Sequence, residues 1–213
     1  MTTEHNALNR SARSEKRAVI LAAAQRLFLE NGYKRTSMEA IRAEAGVSKP
    51  TLYNHYADKE ALFADVVRAT FNHVGFEHFP FMAGQQLPIH SHAELRAVLI
   101  AFVTQALTRM LSSGYVALLR TVISEMPHFP QLIEIFRQNG PVRSLAIAGQ
   151  FFALAYQQGL IRVADTEVVA RLFIGPMASY ILTEGLLQPG APNIPDNARI
   201  EAHVDLFLRA VCT

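Results

Sequence analysis

Residues 37–56 read SMEAIRAEAGVSKPTLYNHY, and this stretch decides the fold. Met38, Ile41 and Ala45 recur at helical spacing, so a short helix is expected, opened by Thr36 or Ser37, either of which can cap it. Gly46 ends that helix, because it accepts the positive φ of a tight turn. Val47 can plug the space between two helices. Ser48 can cap the next helix, and Pro50 falls in its first turn, where a missing N–H costs nothing. Leu52 and Tyr56 are four apart and face inward. Lys49, Pro50, Thr51, Tyr53, Asn54 and His55 are then left on the outer side. Two short helices joined by such a turn form a helix-turn-helix. Small, polar and cationic groups at the start of its second helix suit a major groove. An ordinary two-helix corner with a solvated face would show the same local pattern.

Upstream, Ile20, Ala24, Leu27 and Phe28 fall on one helical face, and Asn31-Gly32 stops that helix. Downstream, a fourth helix opens at Asp58 and carries Leu62, Phe63, Val66, Val67, Thr70 and Phe71 on its inner face, fading between Gly75 and Pro80. Residues 76–90 read as a helix end and a surface loop. Further helices are expected at about 91–112, 115–126, 129–138, 141–158, 165–187 and 196–211, punctuated by Pro127, Pro130, Gly140-Pro141, Gly159 and the proline-rich loop Gln188 to Pro195. No strict apolar alternation occurs, so the expected fold class is all-α, with a helix-turn-helix head and a larger helical domain.

The chain has 213 residues, half of them apolar and 18% charged, which argues against overall disorder. A net charge of +2 excludes a polybasic wrapper of nucleic acid. The charge is uneven. Residues 1–60 hold ten bases, including all four lysines, against seven acids, and the remainder holds ten against eleven. The lone cysteine, Cys212, excludes an internal disulfide and a multi-cysteine zinc site. No apolar signal core follows the basic N-terminal residues, and no apolar run reaches about 18 residues, so a cytoplasmic protein without a membrane segment is expected. His73, His78, His90 and His92 with Glu77 match no metalloenzyme spacing. Ser112-Ser113-Gly114 is not a nucleophile elbow, and nothing activates Cys212. No catalytic residue, metal or cofactor is expected.

Several motifs at fixed spacing carry a family resemblance. They are Phe28-x-x-x-Gly32-Tyr33, Thr36-Ser37-Met38-x-x-Ile41, Ala45-Gly46-Val47-Ser48-Lys49-Pro50-Thr51-Leu52-Tyr53-x-His55-Tyr56 and Lys59-Glu60-x-Leu62. Together they resemble the TetR (tetracycline-repressor-like) family over residues 17 to about 63. Phe129-Pro130 to Gly159-Leu160 is similar to its AcrR-like branch. Arg42 departs from the small residue usual after Ile41.

The resemblance implies a homodimeric transcription regulator, most often a repressor released by a small molecule, acting on a palindromic double-stranded operator. An activator with the same head is the alternative, and a ligand-binding protein or enzyme without DNA activity is a more distant one. The implied organisation is a basic arm (1–15), a DNA-binding domain (16–57), a connecting helix (58–75) and a ligand-binding and dimerisation domain (76–213). Lys49, Pro50, Thr51, Tyr53 and His55 match DNA-touching positions, with Ser48 and Asn54 beside them. Lys49 can donate to guanine, Pro50 and Thr51 can touch a thymine methyl, and Asn54 can read adenine. Thr36 or Ser37, Tyr53, His55 and Lys59 are expected on phosphates. Arg10, Arg13, Lys16 and Arg17 either add backbone contacts or form a solvated tail. An apolar or amphipathic inducer would meet Phe102, Met110, Tyr115, Arg120, Phe136, Phe151, Phe152 and Tyr156. The dimer seam would use Phe173, Met177, Tyr180, Ile181, Leu206, Phe207 and Val211, with Leu208 beside them and Gly175 and Gly185 permitting close approach.

Overall fold

The computed structural model describes the backbone of residues 2–72 and 89–212, and the side chains of 13–70 and 89–212. The elements in order are α1 (Thr2–Arg35), α2 (Met38–Ala45), α3 (Lys49–His55), α4 (Lys59–Asn72), α5 (His92–Met110), α6 (Ser113–Glu125), α7 (Gln131–Asn139), α8 (Pro141–Gln157), α9 (Thr166–Tyr180), a π-type segment (Ile181–Leu186) and α10 (Asn197–Cys212). Among the described residues there is no strand, so the fold class is all-α. The helix is broken at Gly32, whose φ of 77° and ψ of 166° are not helical. Residues 1–15, expected as an arm, are helical from Thr2 onward, because no Pro or Gly interrupts the chain between Thr2 and Asn31. Phe71 and the expected end of the fourth helix, most of the 76–90 loop, and His73, Glu77 and His78 lie outside the described side chains.

The chain divides into two units: Met1–Ala69 with Arg120–Ile135, and Thr70–Leu119 with Phe136–Thr213. Residues 120–135 were expected in the second domain, and they cluster instead with the head. The physical reason is aromatic. Phe129 sets its ring edge-on to Tyr33 at 4.8 Å, and Tyr33 joins Phe28 and Phe63 in one cluster. Around it the head buries Ile20, Ala24, Ile41, Leu52, Leu62 and Val67.

The second unit is centred on phenylalanines. Phe173 lies 5.1 Å from Phe207, 5.4 Å from Phe152 and 5.9 Å from Phe102, ring centre to ring centre. Arg96 on α5 donates to Asp205 at 2.6 Å and to Glu201 at 3.0 Å, tying α5 to α10. Gly185 is buried, and a Cβ there would come within 3.2 Å of Leu111 and 3.3 Å of Val116. Its close approach is therefore within the chain. Gly175 is exposed, with no heavy atom near its missing Cβ.

These placements take four residues out of the expected dimer seam. Phe173, Met177, Phe207 and Val211 are buried in the unit's own core. Tyr180, Ile181 and Leu208 are half-buried, and Leu206 is exposed. The large apolar residues left facing solvent on α9 are Val168 and Leu172, followed by Leu182 in the π-type segment. With Gly175 and Ser179 between them, they recur at steps of four, three, four and three residues, which is a heptad stripe.

Candidate nucleic-acid interface

The reading element is built by local capping. Ser37 Oγ accepts from the Ala40 N–H at 3.1 Å and so caps α2. Gly46 closes that helix at φ 63°, ψ 27°, the left-handed conformation that only glycine adopts without strain. Ser48 Oγ then accepts from the Thr51 N–H at 3.2 Å and caps α3, with Pro50 in its first turn. Leu52 is fully buried, and Tyr56 nearly so. Lys49, Pro50, Tyr53 and Asn54 are exposed, while Thr51 and His55 are half-buried. Lys49 Nζ sits 6.0 Å from the centre of the Tyr53 ring. The helix therefore presents a cation, an apolar ring edge, an amide and an aromatic hydroxyl along one open side.

The same arrangement occurs in known proteins. Residues 20–66 match the model for bacterial regulatory proteins of the tetR family. Residues 97–212, more than half of the chain, match the C-terminal domain of AefR-like transcriptional repressors. The chain belongs to the TetR family. FasR, a transcriptional activator of Mycolicibacterium smegmatis, is 42% identical over 60 residues, which span 28% of this chain and 27% of FasR. A candidate TetR-family regulator from Mesorhizobium loti has a similar solved structure, with a TM-score of 0.79, 27% identity and coverage of 94% of this chain and 98% of that one. The flavonoid-responsive regulator FrrA is 30% identical, with a TM-score of 0.67 and coverage of 93% and 98%. The matched families are transcription regulators, not enzymes, and α2, the turn and α3 are the DNA-binding helix-turn-helix of this TetR-family chain.

Two residues expected on phosphates have other partners in the TetR-type head. Thr36 is buried, and its hydroxyl bonds to the Leu27 carbonyl at 3.0 Å and the Gly32 carbonyl at 2.8 Å. It closes the kink at Gly32, leaving Ser37 as the exposed hydroxyl of the pair. Lys59 is half-buried. Its Nζ donates to the carbonyls of Tyr33 and Thr36, both at 3.0 Å, and lies 4.2 Å from the centre of the Tyr33 ring. Burial lowers its pKa, against the opposing fields of Glu125 and Glu60. Lys59 is thus a clamp on the end of α1. Burial likewise pushes the Tyr33 hydroxyl up to about 12. Ser48 is exposed, but its oxygen is already engaged as a cap and lies 2.8 Å from Thr51 Oγ1.

Arg42 is also engaged. It bonds to Glu39 Oε1 at 2.7 Å and donates to the Val47 carbonyl at 3.3 Å, bracing the turn. Arg26 pairs with Glu44 and ties α1 to α2.

Spacing gave no sign of a carboxylate hub under α3. Asp65 on α4 accepts from Tyr56 Oη at 3.0 Å, from Arg17 Nη2 at 2.6 Å and from Arg68 Nη1 at 3.2 Å. Burial alone would raise its pKa, but the bonds from Arg17 and Tyr56, the Arg17 charge and the Arg68 bond outweigh it, and the net shift is downward. Burial and the bond to Asp65 push Tyr56 up to about 12. One carboxylate thus joins α1, the C-terminal cap of α3, and α4.

The eight residues expected to line a pocket do not share one setting. Phe102, Phe151 and Phe152 are core, and Tyr115 is buried, which pushes its hydroxyl up. Met110 and Phe136 are half-buried. Tyr156 is exposed, and Arg120 is exposed and clusters with the head, so both leave the expected internal lining. Among the described residues no group of three metal-binding side chains occurs. No single described helix is long and apolar enough to cross a membrane.

Proposed function

We propose that this chain is a homodimeric, ligand-released repressor that reads a palindromic operator in the cytoplasm. The observation that carries the reading is the split on α3, where Leu52 and Tyr56 are buried and Lys49, Pro50, Tyr53 and Asn54 face solvent. Lys49 donates to guanine O6 or N7, Pro50 and Thr51 meet a thymine methyl, and Asn54 pairs with adenine. Ser37, Tyr53 and His55 position the head on phosphates. Residues 16–57 form the reading head, and α4 leads from it.

One such helix reads few base pairs, so two heads related by a two-fold axis are needed. The stripe of Val168, Leu172, Gly175, Ser179 and Leu182, together with Leu206 on α10, supplies a face for the partner. Its small residues at the middle let two helices approach closely. The second unit holds an apolar or amphipathic inducer. The flavonoid response in the name of FrrA, a relative at 30% identity, supports the amphipathic class. The inducer releases DNA through its different affinities for two packings of the protein.

Repression is favoured over activation because the match over residues 97–212 is to a repressor domain. The activator FasR aligns over only 60 residues. The test is selection of binders from a random duplex pool at fixed salt, followed by a reporter with the selected site over a promoter. A palindrome with half-sites about one helical turn apart, and a silenced reporter, are expected. An enriched site that raises reporter output makes the protein an activator. An unenriched pool, with protein refolded free of ligand, rejects the DNA reading.

A further inference from the structure

α3 runs from Lys49 to His55, seven residues or about 10 Å, and so short a helix depends on ties to other elements for its direction. Its two ends are tied differently. The N-terminal end is fixed by near neighbours in sequence: Ser48 caps it, and Arg42 holds the Val47 carbonyl at 3.3 Å. At the other end the chain leaves the helix at Tyr56, which is extended at φ −139° and ψ 116°. There the Tyr56 hydroxyl donates to Asp65 Oδ2 on α4 at 3.0 Å.

Asp65 holds that hydroxyl in one place. Its Oδ2 also accepts from Arg17 Nη2 at 2.6 Å, and its Oδ1 accepts from Arg68 Nη1 at 3.2 Å. Both oxygens are therefore engaged, and the Asp65 side chain is 17% exposed. Burying a carboxylate costs desolvation, and an apolar side chain of similar size at such a site often leaves a protein as stable. What the carboxylate adds is a charge-assisted bond that constrains orientation more than apolar contact does. Leu52 anchors the middle of α3 on its buried side. Without the Tyr56 bond the helix can swing about its capped end, so that Asn54 and His55 move most and Lys49 least.

We propose that Asp65 is a positioning residue for sequence readout, acting through Tyr56 to fix the C-terminal end of α3 against the base pairs. This rests on the base contacts proposed for α3 and names the group that aims the half of the helix far from its cap. Asp65 itself touches no DNA. Arg17 and Arg68 aim the carboxylate and offset its charge, which would otherwise repel the phosphates.

The test is base preference, measured with the full-length protein as ratios of affinity between the selected duplex and variants changed at one base pair of one half-site. Such ratios do not depend on the fraction of protein folded. Tyr56→Phe removes one hydroxyl and keeps the ring. It should lower preference by about tenfold at part of the half-site, yet keep it at the base pair that Lys49→Ala relaxes. Asp65→Ala should give the same pattern. The two arginines it frees change affinity for all duplexes alike, and the ratios cancel that change. The double variant should lose no more than either single one, because both remove the same bond. Asp65→Asn keeps an oxygen for Tyr56 and should retain most of the preference. Unchanged ratios in Tyr56→Phe overturn the proposal, as do equal losses at every base pair or additive losses in the double variant. A wild-type protein that binds no duplex removes the DNA reading itself, and this role with it.

Discussion

The two units of this chain are held together differently. The head has a small apolar core braced by directional bonds at named points: Thr36 on two carbonyls, Lys59 on two more, and Asp65 under three donors. The second unit is centred on packed phenylalanine rings, with the Arg96 ion pairs at its half-exposed edge. Directional bonds fix an orientation, which a reading head needs because a displaced helix loses its base contacts. Apolar packing constrains orientation less than hydrogen bonds do and admits alternative arrangements of similar energy, which suits a unit expected to answer to a ligand.

The comparison breaks most visibly at Phe173. Phe173→Ala should cost about 3–5 kcal/mol as a cavity in the ring cluster, read as a loss of urea midpoint. If the units respond separately, a single tryptophan placed in the head as Tyr53→Trp, in a chain that has no other tryptophan, will report unfolding later than the rest. Lys49→Ala addresses the open side of α3. It should cost about 1–3 kcal/mol at the preferred base and leave stability untouched. Equal preference before and after the change would remove Lys49 from base readout.

Thr36→Val retains shape and removes the hydroxyl. It should lower the stability of the head by about 1 kcal/mol without changing the salt slope of DNA binding. A changed slope would return Thr36 to the phosphates. Leu206→Ser should alter monomer stability by less than about 0.5 kcal/mol, yet shift the sedimentation of the protein towards the monomer.

Asp65 gives a pH dependence of definite sign. Its pKa is below the ordinary 3.8 in the folded head, so its stabilisation is complete above that value and is lost as pH falls through the lower folded one. Urea midpoints should therefore hold above about pH 4 and drop as pH falls below it. Asp65→Asn should flatten that drop.

Much of the head was legible in the sequence, because its determinants are local. Ser37, Gly46, Ser48 and Pro50 act within a few residues of themselves, and Leu52 and Tyr56 are inward by helical spacing alone. What was not legible there depends on partners far along the chain. Thr36 and Lys59 carry the residue types of phosphate ligands, and only the fold brings them to the carbonyls of Leu27, Gly32 and Tyr33. Asp65 meets Arg17 across 48 residues.

In the second unit the sequence determined that helices form and where they end, because Pro, Gly and capping residues act at short range. It did not determine which apolar residues face inward. On α9 nearly every turn carries apolar groups on more than one side, so a wheel offers both Phe173 with Met177 and Val168 with Leu172 as a seam. The tertiary structure decided between them by packing Phe173 against Phe152 and Phe207, which left Val168 and Leu172 outside. Capping and periodicity are properties of a segment, and burial is a property of what the rest of the chain places against it.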